Sequence, residues 1–399
     1  MLSITEAQQR ILDRVTPLSG ERVPVGTAMR RVLAESVTAQ RLLPPFDNSA
    51  MDGYAVRGED AGPEPGQRLR VIGESRAAGG GDLAEVASGQ ALRIFTGARM
   101  PPGADTVVMQ EHVVRDGDEI VIERPPRMAA NVRYAGEDLA VGAIALERGG
   151  VVDPGAVGLA CALGRTTLAV VSRPRVAILA TGDELREPDE PIGPGEIVSS
   201  NSYALAAQVT EAGGVPVSLG IAKDTESSIR EHLEPGLKAD VILTIGGVSV
   251  GDYDFVRQVL DQLGWDSAFW KVNIKPGKPL SVGWLQSIPV IGLPGNPASS
   301  MVTFELFVRP LLRRLQNYPS PFRPEIRARL DAEYRKGDDR VHVVRCRTVG
   351  GGEEAVLAPL GKQGSGMLTS MVGVDALALI EGPARTVPAS EPVRALVLD

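Results

Sequence analysis

The sequence predicts a multidomain α/β protein centred on a doubly wound parallel sheet, and three observations carry that reading. At 399 residues the chain is too long for one ordinary domain. Between Arg173 and Leu315, apolar runs of strand length alternate with stretches of helix length, the order that builds a parallel sheet with crossover helices. Outside that region, short strand-like runs are punctuated by Gly, Pro and Asp, as in compact β-rich units.

The elements follow in order. Met1–Val15 reads as an amphipathic helix, with Ser3 and Glu6 at capping-box spacing. Val25–Leu33 reads as a second helix running into a short strand at Glu35–Ala39. Leu43-Pro44-Pro45-Phe46 breaks the pattern, and from there to Pro125-Pro126 the text is strand-like, at Leu92–Phe95, Thr106–Gln110 and Glu119–Glu123. This is a β-rich insertion. Asp153 as N-cap, Pro154 at the first helical position and Gly164 beyond the end define a helix that returns the chain to its first helical region.

Arg175–Ala180 is a continuous apolar run, the mark of a strand buried on both faces. Helix Ser202–Ala212, strand Val215–Ile221, helix Thr225–Leu233, strand Asp240–Thr244, helix Tyr253–Leu263, strand Pro289–Leu293 and helix Ala298–Leu315 follow. Pro319–Pro324 is a stiff linker. Beyond it, Ile326–Ala332, Arg340–Thr348, Ala355–Pro359, Ala376–Ile380 and Val393–Val397 are short strands of a small β-barrel or sandwich.

Composition narrows the function. A net charge of -8 argues against broad nucleic-acid binding. No run reaches the roughly 18 apolar residues a membrane span needs, and no signal peptide opens the chain, so a cytoplasmic protein without a membrane role is expected. The two cysteines, Cys161 and Cys346, lack metal-ligand spacing and read as buried apolar residues. His112, His232 and His342 stand in unlike contexts, which speaks against a zinc site or a histidine triad.

Unusual residues cluster just after the strands of the parallel sheet, where such folds bind ligands. The first strand ends in Thr181-Gly182-Asp183-Glu184. A later one ends in Gly246-Gly247-Val248-Ser249-Val250-Gly251-Asp252-Tyr253-Asp254, and the last in Leu293-Pro294-Gly295-Asn296-Pro297. Glycines let backbone amides approach a ligand, and the helix start that follows favours anions. Asp183 and Glu184 read either as turn and cap residues or, with Asp254, as hard oxygen ligands for Mg²⁺ bridging phosphates. Three of the seven lysines fall between Lys271 and Lys278 in a chain that otherwise prefers arginine. In Lys275-Pro276-Gly277-Lys278-Pro279 two ammonium groups are pinned together, which an anion between them would relieve. Phe46–Ala55 adds a polar turn with two acids, and Thr96-Gly97 and Gly136-Glu137-Asp138 are weaker signals.

Taken together, these segments resemble the MoeA family, the molybdopterin molybdenumtransferases, which includes the C-terminal domain of gephyrin. The matching stretches are Pro45–Val56, Arg93–Gln110, Asn131–Leu139, Pro174–Leu185, Ser200–Leu205, Gly246–Asp254, Ile274–Pro279, Gly292–Ser299 and Gly364–Met371, in family order over nearly the whole chain. The resemblance implies a split N-terminal region at 1–43 and 136–172, the insertion at 44–135, the doubly wound domain at 173–318 and a C-terminal β-barrel at 319–399. It implies a homodimer whose sites lie between the doubly wound domain of one chain and the N-terminal regions of the other. The implied reaction inserts molybdate into adenylylated molybdopterin, releasing AMP and molybdenum cofactor with Mg²⁺ required. A molybdopterin adenylyltransferase and apo-molybdoenzymes are the implied protein partners.

Carried over by position, the resemblance makes Asp183, Glu184 and Asp254 the acidic side of the site, holding the metal, and Lys275 and Lys278 the anion side. Asp52, Thr96 and Asp138 match functional positions of the N-terminal region. Gly246, Gly247, Ser249, Pro294, Asn296 and Pro297 match loops at the substrate, and Ser365 and Ser370 a serine motif of the tail. Ile245 departs from the family, which usually has Ser or Thr there. Three rival readings are an adenylyltransferase, a non-catalytic scaffold and a competence-damage-type protein. The first and third lack counterparts to the flanking regions; the second would let the acidic and lysine positions drift, and all are filled.

Overall fold

A computed structural model describes residues 1–78, 82–247, 255–350 and 355–398. The first helix, Ile4–Leu12, is closed by the expected reciprocal cap: Glu6 N–H donates to Ser3 Oγ at 3.2 Å and Ser3 N–H to Glu6 Oε2 at 2.8 Å. Its buried Ala7 and Ile11 join the main core beside Phe304, Leu311 and Leu315.

Val25–Leu33 is not a helix. Only a single 3-10 turn forms, at Val25–Thr27, preceded by a strand, Gly20–Pro24, that pairs antiparallel with Thr167–Val171. The reason is tertiary. Arg30 takes a φ of 60°, and the amides of Arg30 and Leu33 donate to Val152 and Gly150 carbonyls at 2.8 and 2.9 Å. The helical period therefore loses to long-range pairing. Helix Pro154–Ala162 does return as expected, capped by Asp153, and its Ala160 packs with Val25, Ala28 and Leu33. Cys161 on this helix is exposed, against expectation, while Cys346 is buried and its thiol is pushed up to about 12 by burial. The stretch PGAVGLACA is apolar on every face, so its periodicity could not say which side turns inward.

The insertion is a six-stranded sheet. Strands Gln90–Ile94, Thr106–Met109 and Glu119–Ile122 match the expected runs. Gly53–Val56, Arg68–Ser75 and Val113–Asp116 are additional. Gly53–Val56 lies between Gln90–Ile94 and Thr106–Met109, with its four residues buried.

The central domain carries a second six-stranded sheet. Four strands run parallel in the order Val215–Ala222, Arg175–Thr181, Val241–Ile245 and Ile288–Leu293. Two further strands extend it antiparallel, Pro279–Leu285 and then Trp265–Lys271. This pair was not read from the sequence, and it decides where the lysine loop lies. The helix begun at Pro297 continues through a π segment, Phe304–Val308, into Arg309–Leu315. Pro310 lacks an N–H for the ladder, and the Leu306 carbonyl is met instead by Gln8 Nε2 at 2.9 Å, from the first helix.

In the tail, strands Glu325–Leu330, Val341–Gly350, Ala355–Pro359, Ala376–Ile380 and Pro392–Val397 pair in a ring, closing a 5-strand barrel. The short strand Ile274–Lys275 of the central domain adds to this barrel, parallel to Val341–Gly350. Val343, Leu377 and Leu379 of the barrel share the main core with Ile274, Leu280 and Phe304, so barrel and sheet domain are packed as one.

Candidate functional site

The carboxyl ends of the parallel strands supply the first parts of the site. Strand Arg175–Thr181 is buried from Val176 to its end and stops at Gly182, whose φ is 152°. A Cβ there would sit 2.6 Å from the Glu184 carboxylate. Asp183 and Glu184 follow, exposed. The parallel register sets Thr181 beside Ala222, which brings Asp224 to the same edge. Its backbone N–H donates to Asp183 Oδ1 at 3.3 Å. The Asp224 carboxyl is raised above its ordinary range by burial first, then by the Asp183 and Glu184 charges. Asp224 was missed because it precedes Thr225, a helix N-cap, and reads as turn chemistry.

A carboxyl raised on folding holds its proton more tightly in the native state, so its contribution to stability falls as pH rises through its titration range. Asp224→Asn is therefore expected to raise Tm by about 1 °C at pH 7 without metal, a small value for a partly exposed group. A lower Tm in a calorimetric scan would contradict this.

The next strand, Val241–Ile245, ends at Gly246 and Gly247, with φ of 85° and 62°. Both values lie in the left-handed region that glycine adopts without strain. The Gly246 amide is spent on the Leu293 carbonyl at 3.1 Å, so this glycine shapes the turn. Ile245, the departure from the family pattern, is buried in the core. Ser249 and Asp254 lie outside the described residues. Among the described residues, no group of three Asp, Glu, His or Cys side chains is arranged to hold a metal ion.

The fourth strand, Ile288–Leu293, ends at Pro294-Gly295-Asn296-Pro297. Asn201 Nδ2 donates to the Gly295 carbonyl at 2.7 Å. Asn296 stands at the N-cap, yet its side chain does not cap; Nδ2 donates to Ser365 Oγ at 3.1 Å. The Ala298 amide donates to the Ser365 carbonyl at 3.0 Å. Thus Ser365 of the tail docks on this loop. Ser370 is buried instead, with Oγ accepting from Arg345 Nη2 at 2.9 Å and donating to the Met367 carbonyl at 2.6 Å.

The lysine loop connects the two antiparallel strands. Because Ser281 pairs with Gly292 and Lys271 with Pro279, the loop emerges at the edge where the parallel strands end. Lys275 and Lys278 are exposed there, while Pro276 and Gly277 are buried. Gly277 has a φ of 101°, and a Cβ on it would meet Thr303 Cγ2 at 2.5 Å. The loop therefore seats on the helix that starts at Pro297.

In the insertion, the Thr96 amide and hydroxyl both donate to Asp52 Oδ1 at 2.8 Å. These bonds, the amide first, hold the Asp52 carboxyl below its usual range. Asp138 is exposed, its amide donating to the Leu43 carbonyl at 3.0 Å. Among the described residues, no hydrogen bond or ion pair joins Asp52 or Thr96 to the sheet-edge groups.

This arrangement has close relatives. The family model for the MoeA N-terminal region (domain I and II) matches residues 2–164, that for a probable molybdopterin binding domain 177–314, and that for the MoeA C-terminal region (domain IV) 327–398. The chain is 39% identical to molybdopterin molybdenumtransferase 2 of Mycobacterium tuberculosis (strain CDC 1551 / Oshkosh) over 83% of its own length and 84% of that protein. It belongs to the MoeA family.

The molybdopterin molybdenumtransferase of Bacillus subtilis (strain 168) is 33% identical over 100% of this chain and 94% of its own. Among solved structures, the molybdopterin biosynthesis MoeA protein of Pyrococcus horikoshii OT3 is similar at a TM-score of 0.83, with 31% identity and 100% of each chain covered. The family match covers the flanking regions as well as the central domain, which the adenylyltransferase and competence-damage readings did not require.

Proposed function

We propose that this MoeA-family protein inserts molybdate into adenylylated molybdopterin and releases AMP, giving molybdenum cofactor. One observation carries the reading. A single edge of the central sheet gathers an acidic group at Asp183, Glu184 and Asp224, glycine turns at Gly246 and Gly247, and the lysine loop. An acidic side suits a cation on a pyrophosphate, and a basic side suits an oxyanion.

In this proposal Lys275 and Lys278 hold molybdate beside the dithiolene. The loop 294–297, braced by Asn201 and Ser365, borders the substrate, with Ser249 carried over as a further substrate contact. Asp183, Glu184 and Asp254 are the residues that would hold Mg²⁺. Their hard oxygens fit it, and the Asp183 and Glu184 charges, which add to burial in raising the neighbouring Asp224 carboxyl, are ones a cation would relieve. Bound there, Mg²⁺ supplies Lewis-acid polarisation of the pyrophosphate link. The chain need supply no covalent nucleophile, because the reaction demands that reactants be held in register.

Asp52, Thr96 and Asp138 belong to the same reading through a second copy of the chain, whose N-terminal regions would complete the site in a homodimer. An adenylyltransferase would supply the substrate, and apo-molybdoenzymes would accept the product. The described helices include none long and apolar enough to cross a membrane. A cytoplasmic location is part of the same proposal.

The test is molybdate-dependent AMP release from purified adenylylated molybdopterin and Mg²⁺, with activation of an apo-molybdoenzyme as second readout. Asp183→Asn and Lys275→Ala, as folded dimers, are each expected to cut turnover about 10²-fold or more. Normal turnover in both would overturn the site assignment. AMP release with tungstate alone would move the substrate to that dianion.

A further inference from the structure

We propose that Asp338 of the tail barrel is a positioning residue for the anion loop, its carboxylate holding the Lys275 ammonium where molybdate is received. The inference rests on Lys275 being an anion ligand, as in the function proposed above. Lys275 Nζ lies 3.1 Å from Asp338 Oδ2, an ion pair between segments 63 residues apart in sequence.

Asp338 is itself fixed. Arg340 grips both of its oxygens, Nε to Oδ1 at 3.1 Å and Nη2 to Oδ2 at 2.7 Å, and the Arg340 amide donates to Oδ1 at 3.1 Å. His342 Nε2 stands 3.2 Å from Oδ1, and Tyr334 Oη lies 3.1 Å from the Nδ1 of the same ring. Beneath them, the ammonium of Lys336, 2% exposed, donates to the Asp338 carbonyl at 2.7 Å. The main chain is tied at the same place: Lys275 pairs with His342 in register, and the Val341 amide donates to the Asn273 carbonyl at 3.1 Å.

Three points make the carboxylate a clamp rather than a competitor for Lys275. Its charge is matched by the Arg340 fork, so Lys275, Asp338 and Arg340 together keep a net positive charge toward an incoming dianion. An ammonium carries three donors, and Asp338 takes one. A lysine stem is long and flexible, so anchoring it on a fixed acceptor removes rotamer freedom before the ligand arrives. The barrel, distant in sequence from the loop, thereby contributes to anion recognition.

The experiment measures AMP release by the full-length protein against molybdate concentration. Asp338→Asn keeps the side-chain shape and is expected to raise KM for molybdate about fivefold, with kcat within about twofold of wild type. Asp338→Glu is expected to recover part of the loss. In a Lys275→Ala background Asp338→Asn should add nothing, because its target is gone. A thermal midpoint for each variant separates loss of placement from loss of fold. An unchanged or lower KM in folded Asp338→Asn overturns the clamp, as does an additive double variant. If Lys275→Ala alone leaves KM and turnover unchanged, the anion-ligand reading fails and this inference fails with it. A Lys275 effect without an Asp338 effect sinks the clamp only.

Discussion

Gly53→Ala is expected to destabilise the insertion by about 3 kcal/mol and to disable the Asp52–Thr96 pair with it. A Cβ at position 53 would lie 2.0 Å from the Val108 carbonyl oxygen and 2.9 Å from its carbon. Those are backbone atoms of the neighbouring strand, paired with Gly53–Val56 along its whole length, and they cannot rotate aside. Relief requires the strands to part. Asp52 immediately precedes the strand, and its carbonyl accepts from the Gln110 amide at 3.0 Å, so it moves with the strand. Hydrogen exchange should show loss of protection in Gly53–Val56 and Thr106–Met109, with helices of the central domain unaffected. Unchanged protection in both strands would mean that the sheet absorbs the methyl group.

The second large effect is expected at Arg323. Its guanidinium reaches Glu305 at 3.1 Å, Glu211, and the carbonyl of Leu398 near the end of the chain. The side chains of Arg323 and Glu305 are 8% and 4% exposed. One arginine thus ties the Pro-rich linker to the π segment, to helix Ser200–Glu211 and to the tail. Arg323→Ala leaves Glu305 buried with Gln208 Nε2 at 2.9 Å and Arg309 only at 4.0 Å, and should cost about 3 kcal/mol. Arg309 is lowered to about 10 by burial first and by the Arg323 charge next. Removing Arg323 relieves that repulsion and offsets part of the loss. A denaturant midpoint for the barrel and sheet domain, followed with cleavage at 319–324 by limited proteolysis, checks the prediction. A change below about 0.5 kcal/mol would mean that Arg309 swings in to replace the lost partner.

Local chemistry made several parts legible in advance. The Ser3–Glu6 capping box, the Asp153-Pro154 helix start, and the buried strand Arg175–Thr181 each rest on contacts or burial patterns only a few residues long. The acidic, glycine and lysine groups were legible for the same reason: residue types unusual for a turn recur at strand ends. Where neighbours distant in sequence decide, the reading failed. Val25–Leu33 has a helical period but spends its amides on Gly150 and Val152. Gly53–Val56 is too short to announce itself beside a polar turn, and Asp224 resembles any residue before a helix cap.

The family, and the acidic, glycine and lysine residues at the strand ends, were readable from the chain alone, because these depend on local pattern and side-chain chemistry. Only the tertiary structure decided that an antiparallel pair of strands carries the lysine loop to the edge where the acids stand. It also decided that Ser365 and Asp338 of the barrel reach the site's loops, and that Ser370 is turned inward under Arg345. The physical reason is that sheet register and interdomain packing are set by pairings across many residues of chain, which no local window contains.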